Sequence, residues 1–379
     1  MSELRAKNLS VEMLGSISRV DRDEWDRLAD DVYMSHGWLR VIEEAFLDPV
    51  EHRYFLARAG DGRLLGAAVA HIHQPSGDVF TLDDSVFGRL KPIASRLGLS
   101  VMPSLICGPL RAYGQHMIFD GGIDTGERQA VASALLDAMQ EEAAKRRVAM
   151  SFNNVMHQER ELAEQLESRG FGHTVNFPLN YLDVCWNTPD DYHAFLSKRK
   201  LKREINKNRR EGVEITSLDS IGADDERLHE LLNENYEKYN GKPLPVKTDF
   251  IRLCKNYLGA EAVVYVAKKK GRIVGTIVMF HRNGVAYVTD VGVDHAATGN
   301  DFTYFNLTYY VPVADAIEAG IARIHYGTMM YSMKSDRGCK TTDIHVYHRP
   351  RNRLLRILFI PLFAAHRAFK SWFIQRHYF

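Results

Sequence analysis

Two stretches of the chain repeat one pattern, YFLARAGDGRLLGAAVAHIH at residues 54–73 and VYVAKKKGRIVGTIVMFHR at residues 264–282. Each is an apolar segment, a short charged turn that contains glycine, and a second apolar segment. Apolar alternation on both sides of such a turn predicts a β-hairpin. Gly66 and Gly275 occupy matching places in the second strand, where a glycine indicates a β-bulge or a close approach of neighbouring backbone.

The similarity continues beyond each hairpin with a helix that leads into a strand. The first copy reads AVASALLDAMQEEAAKRRVAMSFN at residues 130–153, and the second reads FNLTYYVPVADAIEAGIARIHYG at residues 305–327. Apolar residues recur at helical spacing in both. Gly320 is expected to end the second helix, and Pro312 to kink it or delay its start. A hairpin, a helix and a strand that recur in one order predict an internal duplication.

The length of 379 residues also favours two domains, because one domain usually holds about 100 to 200 residues. We predict an α/β (α+β) chain of two tandem units, each a mixed twisted sheet flanked by helices. The first unit is expected at 1–180, with an apolar insertion at about 79–109 that shapes a pocket or covers the sheet. The second unit is expected at 181–350, and a basic amphipathic tail at 351–379.

The composition excludes several classes of protein. A hydrophobic share of 45% and a charged share of 26% are those of a globular protein and not of a disordered one. The first residues lack the apolar run of a secretory signal, and no segment approaches the roughly 18 apolar residues of a spanning helix. We therefore expect a cytoplasmic protein, with peripheral contact at the inner face of the membrane as an alternative.

The four cysteines are far apart and form no CxxC pair; they are Cys107, Cys185, Cys254 and Cys339. This spacing indicates neither a zinc site nor a disulfide framework, and it fits a reducing compartment. The histidine pairs 71/73 and 345/348 lack a third ligand at metal spacing. We expect no metal and no tightly bound cofactor.

The segment ESRGFGHTVNFPLNYLDV at residues 167–184 resembles the closing helix, Gly-Phe turn and strand of a GNAT-superfamily N-acetyltransferase unit. Two such units in tandem resemble the Fem-type peptidyltransferases and related bacterial N-acyltransferases, over about residues 35–350. Residues 195–215 are similar to the basic helix that opens the second unit in that group, and residues 309–350 to its ending. The resemblance implies two GNAT-like units and amide-forming acyl transfer, with acyl-coenzyme A or aminoacyl-tRNA as co-substrate.

Coenzyme A-dependent members of that superfamily place a glycine-rich loop between the central strand and the next helix, where backbone N–H groups bind pyrophosphate. The corresponding stretch here is VDHAATGNDFTYFN at residues 293–306. It offers Thr298, Gly299 and Asn300 as candidate donor-binding residues, but it contains one glycine only. This departure leaves the donor open and leans toward aminoacyl-tRNA.

Amide formation requires that the amine lose a proton and that the carbonyl oxygen be stabilised as it gains charge. Asp290, in the apolar run VAYVTDVGV, is a candidate base because burial raises the pKa of a carboxylate; the alternative is a cap for the following loop. In the loop MMYSMKSDRGCK, Tyr331 is a candidate general acid. Lys334 and Arg337 are candidate ligands for a donor phosphate or the oxyanion, unless the loop is simply solvated.

Positive charge is concentrated in two segments. Residues 198–210 hold eight cations and one acid, and we predict a basic helix whose Lys202 and Arg203 bind a tRNA or donor phosphate. The alternative is a solvated helix face. Residues 349–379 hold seven Lys or Arg and no acid among apolar and aromatic residues. Such a helix lies on an anionic membrane or packs against the second domain or a dimer partner.

The function favoured by these observations is an N-acyltransferase that joins an activated acyl or aminoacyl group to an acceptor amine on a small molecule or peptide. One alternative is a Fem-type peptidyltransferase that acts on a cell-wall precursor or a secondary metabolite. Another is a non-catalytic, membrane-associated module, because fold does not dictate activity. The candidate residues lie in the second copy, which we expect to be the active unit.

Overall fold

Both predicted hairpins are present in a computed structural model, which describes residues 9–47, 49–73, 82–87, 91–96 and 100–378. The described residues fall in two compact units. The first takes its residues from 1–43, 48–177 and 343–379, and the second from 44–47 and 178–342.

The first unit is a mixed sheet with helices. Its strands are β1 (Ser10–Leu14), β2 (Val50–Arg58), β3 (Leu64–His73), β4 (Ser104–Cys107), β5 (Met117–Phe119), β6 (Ala149–Met156), β7 (Gly172–Val175) and, from later in the chain, β15 (Ile344–Arg349). Its helices are α1 (Arg22–Asp26), α2 (His36–Ala45), α3 (Leu82–Phe87), α4 (Lys91–Arg96), α5 (Thr125–Arg146), α6 (Arg160–Ser168) and α15 (Arg353–Tyr378).

The second unit has the same kind of architecture. Its strands are β8 (Leu179–Asp183), β9 (Val213–Leu218), β10 (Ala262–Lys269), β11 (Arg272–Arg282), β12 (Val285–Val293), β13 (Arg323–His325) and β14 (Lys340–Thr342). Its helices are α7 (Pro189–Lys198), α8 (Lys202–Arg210), α9 (Asp225–Asn240), α10 (Phe250–Leu258), α11 (His295–Thr298), α12 (Thr303–Phe305), α13 (Val311–Glu318) and α14 (Tyr331–Asp336).

The glycines of the two hairpins have the predicted roles. The register shifts beside the Ala57–Gly66 pair in one hairpin and beside the Ala267–Gly275 pair in the other, so both contain a bulge at the same place. A Cβ atom at Gly66 would lie 2.7 Å from the side chain of Val131 in α5, and one at Gly275 would lie 2.9 Å from that of Leu307. Glycine therefore allows a helix to pack closely on each sheet, as predicted.

The two predicted helices are also confirmed. A reciprocal capping box between Asp124 and Glu127 begins α5, which satisfies N–H groups that a helix start leaves open. The second helix contains a π-helical segment, Asn306–Tyr310, and its α-helical continuation has Pro312 in its first turn. Since proline lacks an N–H group, this late start of α13 explains how the proline is accommodated. Gly320, with φ of +68°, follows the end of α13.

The two sheets have one strand order. It is β1-β2-β3-β4-β6-β15-β7 in the first unit, where β5 also pairs with β3, and β9-β10-β11-β12-β13-β8-β14 in the second. In each sheet the fourth and fifth strands of this order are parallel. The sixth strand of each sheet comes from outside the continuous segment that forms the other strands, β15 from the far end of the chain and β8 from the start of the second unit, before β9.

This exchange corrects the predicted domain limits at the C-terminal side. Residues 343–350 were assigned to the second unit, but β15 pairs with β6 and β7 and belongs to the first. The segment 351–379 was predicted as a separate tail, yet α15 lies in the first unit as well. Pairing between strands so distant in sequence leaves no local pattern that would reveal the exchange.

The predicted insertion at about 79–109 is also corrected at its end. Its residues 104–107 form β4, which pairs with β3 and β6 and is an ordinary member of the sheet. Val86 and Val101 pack with Ile106, Phe359 and Phe363. The described part before β4 therefore covers the sheet together with α15; residues 79–81, 88–90 and 97–99 lie outside the described residues.

Candidate functional site

The shared register identifies equivalent residues in the two sheets. Gly66 pairs with Phe119 in the first sheet, and Gly275 pairs with Val293 in the second. His116 and Asp290 each lie three residues before those partners. Asp290, the candidate base, therefore occupies in the second unit the position that His116 occupies in the first.

The chain that precedes these two residues differs greatly. In the second unit β12 is continuous, and Thr289 alone is extra between Val288 and Asp290, which pair with consecutive residues of β11. In the first unit the pairing stops at Cys107 and resumes at Met117, so that residues 108–116 intervene. A one-residue bulge in one unit thus corresponds to a loop in the other.

His116 bridges the first sheet at this point. Its ring is buried, with Nδ1 2.8 Å from Glu159 Oε1 and Nε2 2.8 Å from the carbonyl oxygen of Asn153 in β6. Burial by itself lowers the pKa of His116, but the adjacent Glu159 carboxylate outweighs it and raises the pKa above the usual value. The charged imidazole donates to both acceptors and closes the sheet between β4 and β6.

The second sheet is not bridged in this way. β12 and β13 pair over three residues only, ending at Tyr287 with His325, whereas β12 continues to Val293. Within the part of the chain that the structure describes, no backbone hydrogen bond joins the two segments further on. We call the place between β12 and the segment after β13, beyond this last pair, the opening of the second sheet.

Asp290 lies half-buried at this opening, in the fourth of seven strands. The prediction that it sits in a central strand is confirmed. The alternative role, capping the following loop, belongs to Asp294, whose carboxylate accepts from the N–H of Ala297 at 2.9 Å.

An aromatic row crosses three strands beside the opening. Tyr287, His325 and Tyr181 are neighbours in register, and the rings of Tyr287 and His325 stack 4.9 Å apart. Burial lowers the pKa of His325 to about 4, so its imidazole is neutral at pH 7. Asp290 lies on the same face of the sheet as Tyr287. In the neighbouring strand β11, Asp290 pairs with Val278 and Tyr287 pairs with Phe280, and these two partners are two residues apart and so point to one face.

The segment that follows β13 is fixed by hydrogen bonds that its backbone carbonyl groups accept from buried side chains. The Lys334 ammonium donates to the carbonyls of Tyr326 at 2.6 Å and Thr328 at 3.0 Å, and Asn180 donates to that of Gly327 at 2.8 Å. Burial lowers the pKa of Lys334 to about 8. The Tyr331 hydroxyl donates to the carbonyl of Pro178 at 3.0 Å. The structure thus gives these two predicted catalytic residues internal partners.

Arg337, a predicted phosphate ligand, is also buried against protein. Its guanidinium lies 2.6 Å from a carboxylate oxygen of Glu204 and 3.9 Å from the centre of the Phe305 ring. The hydroxyl of Tyr310 donates to the same carboxylate. Glu204 is the single acid of the basic run, and this ion pair attaches α8 to the rest of the unit.

The basic run 198–210 is not the single helix that was predicted. It spans the end of α7, a turn in which Lys200 has a φ of +61°, and α8. Glu204 and Asn208 form the buried side of α8, and Asn208 donates to the carbonyl of Asp301 at 3.1 Å. Lys202 and Arg203 are exposed, and no described acid forms an ion pair with either. One face of α8 is anchored, and the other presents cations.

The loop that would bind pyrophosphate is occupied by its own side chains. The hydroxyl of the buried Thr298 donates to the carbonyl of Asp294 at 2.8 Å, and Gly299 and Asn300 are exposed. The Asp301 carboxylate accepts from the N–H of Thr303 at 2.9 Å, in the first turn of α12, and from the Lys269 ammonium at 2.8 Å. The Asp301 carboxylate therefore occupies the N-terminus of this helix, where the helix dipole favours a negative charge.

Sequence reasoning missed a clamp that both units contain. Arg27 donates to Asp120 at 2.9 Å and to the carbonyl of Leu64 at 3.1 Å. In the second unit Arg227 donates to Asp294 at 3.1 Å and to the carbonyl of Ile273 at 3.2 Å. The two carbonyls lie two residues before the equivalent glycines, a signal visible only after the hairpins are aligned.

Comparison with known proteins agrees with this architecture. A family model, FemAB-like, described as peptidoglycan biosynthesis/recognition, matches residues 16–367. The chain belongs to the FemAB-like family. Among curated protein sequences none matches it.

Solved structures resemble the FemAB-like chain in fold. FemX aligns with a TM-score of 0.59 at 11% identity, over 92% of this chain and 99% of that one. A tandem GNAT protein from the clavulanic acid biosynthesis pathway aligns with a TM-score of 0.51 at 14% identity, over 91% and 99%. The C-terminal domain of a putative lysylphosphatidylglycerol synthetase from Agrobacterium fabrum gives 0.53 at 12% identity, over 90% and 96%.

These findings confirm the predicted fold of two tandem GNAT-like units. The family match also bears out the predicted reaction class, that of an acyltransferase that transfers an acyl or aminoacyl group to an amine. No helix among the described residues has the length and apolar character needed to cross a membrane.

Proposed function

We propose that the second unit carries out the transfer, in the opening between β12 and β13. The observation that carries this proposal is the contrast at equivalent positions: a loop brings His116 to the carbonyl of Asn153 in the first sheet, whereas in the second β12 runs on to Val293 beyond its last pair with β13, Tyr287 with His325. Strand backbone that faces an opening offers N–H groups for the donor carbonyl, whose oxygen gains negative charge in the transition state.

Asp290 is the proposed proton acceptor. The acceptor amine attacks the donor carbonyl and forms a C–N bond, its surplus proton passes to Asp290, and the C–O bond of an ester or the C–S bond of a thioester breaks. The leaving oxygen or sulfur then takes up a proton. We assign Tyr331, Lys334 and Arg337 a positioning role, because each donates to buried protein acceptors around the segment after β13.

Aminoacyl-tRNA is the favoured donor, with acyl-coenzyme A in a GNAT-type reaction as the alternative. The argument rests on Asp301, which occupies the helix end where coenzyme A pyrophosphate would bind in a GNAT-type loop. A second anion at that place would meet a buried carboxylate already paired with Lys269. Thr298, Gly299 and Asn300 are then loop residues, and not donor ligands.

The exposed side of α8 is the proposed tRNA contact. Lys202 and Arg203 project from a helix whose other side is fixed by Glu204 and Asn208, so these cations keep their positions without an acidic partner. Binding to phosphates by such cations weakens steeply with salt. The acceptor is an amine of a small molecule, a cell-wall precursor or another peptide. Contact of residues 351–379 with an anionic membrane is part of the same proposal.

The test compares two donors in thermal unfolding and two charge-reversal variants in tRNA binding. Thermal unfolding is measured with aminoacyl-tRNA and, separately, with acetyl-coenzyme A; stabilisation by the first alone is expected. The double variant Lys202→Glu, Arg203→Glu should weaken tRNA binding. It should also reduce the slope of log Kd against log salt concentration by the amount that corresponds to about two phosphate contacts. The control Lys145→Glu, Lys247→Glu changes net charge equally at other exposed sites. Stabilisation by acetyl-coenzyme A alone, or equal effects of the two variants, would contradict the tRNA proposal.

A further inference from the structure

The C-terminal helix α15 has one face packed against the first unit. Phe359, Phe363 and Ile374 are buried, and the hydroxyl of Thr174 in β7 lies 2.8 Å from Nδ1 of His366. Close backbone packing occurs as well, since a Cβ atom at Gly172 would lie 3.4 Å from the Cα of Ile360. The helix is therefore a fixed part of the unit.

Five large apolar side chains of α15 are nevertheless exposed to solvent. They are Ile357, Ile360, Leu362, Phe369 and Trp372. Phe369 and Trp372 keep 52% and 51% of their surface exposed. Eleven large hydrophobic residues are exposed in the described chain, and five of them are on this one helix. An apolar patch of this kind marks an interaction surface; we call these five residues the α15 outer face.

The charges that α15 itself carries are of one sign. No acid occurs after Asp343, whereas Arg351 and Arg376 are exposed at the two ends of the helix region. Arg376 also lies 5.4 Å from the Trp372 ring. Apolar and aromatic side chains flanked by cations, without acids, fit the boundary between headgroups and acyl chains of an anionic lipid layer. A second copy would bring like charges together across a two-fold interface.

We propose that the α15 outer face binds the surface of an anionic lipid membrane, with Phe369 and Trp372 inserted among the acyl chains and the arginines at the headgroups. This deepens the membrane contact named under the proposed function. It does not depend on which donor the second unit uses. The helix lies along the surface, anchored to the protein by its buried face, and holds the first unit against the membrane.

The test is flotation of the full chain with vesicles of phosphatidylcholine that contain 30% phosphatidylglycerol. The wild-type chain is expected to float, and the variant Phe369→Ser, Trp372→Ser to bind at least 10-fold more weakly. Met13→Ser, Tyr239→Ser is the matched control, because both residues are exposed apolar side chains elsewhere, and it should bind like the wild type. Trp25 and Trp38 are buried and Trp186 is partly buried in the second unit, so a blue shift of tryptophan emission on vesicle addition that the Phe369→Ser, Trp372→Ser variant loses reports on Trp372.

A second variant separates charge from apolar insertion. Arg351→Glu, Arg376→Glu should lose binding to the anionic vesicles, and neutral vesicles should bind the wild type weakly. Circular dichroism checks that each variant is folded, and turnover of soluble substrates, which should not change, separates this proposal from the transfer reaction. Equal flotation of the wild type and the Phe369, Trp372 variant would overturn the proposal. So would a dimer of the wild type that this variant converts to monomer without any vesicle binding.

Discussion

The gap between the fourth and fifth strands is closed in the first unit of this chain and open in the second. In the first unit His116, carried on a loop, reaches Glu159 and the carbonyl of Asn153 and so ties two strands together. In the second unit β12 runs through with a one-residue bulge, and β13 ends after three pairs. The comparison teaches that a duplicated sheet retains its frame while the two copies differ between their fourth and fifth strands; under the proposed function, the reaction takes place in the unit that keeps the opening.

The matched residues Asp290 and His116 give the largest expected effect. Asp290→Asn keeps the shape of the side chain but removes the base, so kcat should fall by about 10²- to 10⁴-fold, with little change in thermal unfolding. His116→Gln, at the equivalent position, should leave kcat of the folded protein within about twofold, because the first opening is closed. Steady-state turnover of the transfer reaction measures both, and retained activity in Asp290→Asn would refute the role assigned to that carboxylate.

Gly292 tests how tightly the frame of the second unit is built around its opening. A Cβ atom there would lie 2.3 Å from the carbonyl carbon of Leu231, in the backbone of α9. Since a helix backbone cannot rotate away as a side chain can, Gly292→Ala should lower the free energy of unfolding by about 3 kcal/mol. Urea denaturation measures this. Gly121→Ala, where a Cβ atom meets nothing within 4 Å, serves as the control, and equal stability of both variants would contradict the close packing.

The closure of the first unit predicts a pH-dependent stability. The neighbouring carboxylate raises the pKa of His116, and contacts with His116 lower that of Glu159 despite burial. Because the pKa of His116 is raised on folding, its stabilisation of the folded protein is complete below about pH 6.5, the usual histidine pKa. This stabilisation is lost as the pH rises through the pKa that His116 has in the folded protein. Because the pKa of Glu159 is lowered on folding, its stabilisation of the folded protein is complete above about pH 4.3, the usual glutamate pKa. This stabilisation is lost as the pH falls through the pKa that Glu159 has in the folded protein.

The wild type should therefore exceed His116→Gln in the free energy of unfolding by about 1–3 kcal/mol between those two pH values, and by less outside them. Denaturant unfolding at a series of pH values measures the difference. A difference that is constant from pH 4 to pH 9 would mean that the charged pair does not close the first unit.

The arginine clamps give the smallest expected effect, and they test the similarity of the units. Arg27→Ala and Arg227→Ala should each cost about 1 kcal/mol of unfolding free energy, because both arginines are partly exposed and their ion pairs are screened by water. The two values should agree within about 0.5 kcal/mol. A large cost in one unit only would argue against equivalent clamps.

Much of the frame could be predicted because its signals are local. The hairpins, the bulges at Gly66 and Gly275, and the start of α13 around Pro312 follow from periodicity and from the conformational limits of glycine and proline. The exchange of β8 and β15 could not be predicted, since short strands pair across more than a hundred residues without a local pattern.

Part of the proposed site stands out in the sequence. Asp290 is an acid within an apolar strand, and the structure places it at the opening. Lys334 and Arg337 are candidate donor or oxyanion ligands in the sequence, with a solvated loop as the alternative, whereas the structure buries both. The partner of Arg337, Glu204, is 133 residues away in the chain, so no local pattern reveals this burial. The equivalence of His116 and Asp290 appears only in the sheet register, because the loop before one and the single bulge residue before the other destroy any sequence alignment.

Hydrogen exchange with and without donor tests most directly whether the opening in the second unit is the reaction site. Aminoacyl-tRNA and acetyl-coenzyme A are added separately to the full chain, and amide protection is read by mass spectrometry. Either donor that binds should slow exchange of the amides at 288–293 and 326–330 and leave those at 107–117 and 153–156 unchanged. Protection at 107–117 and 153–156 instead, with 288–293 unaffected, would place the donor in the first unit and contradict the account.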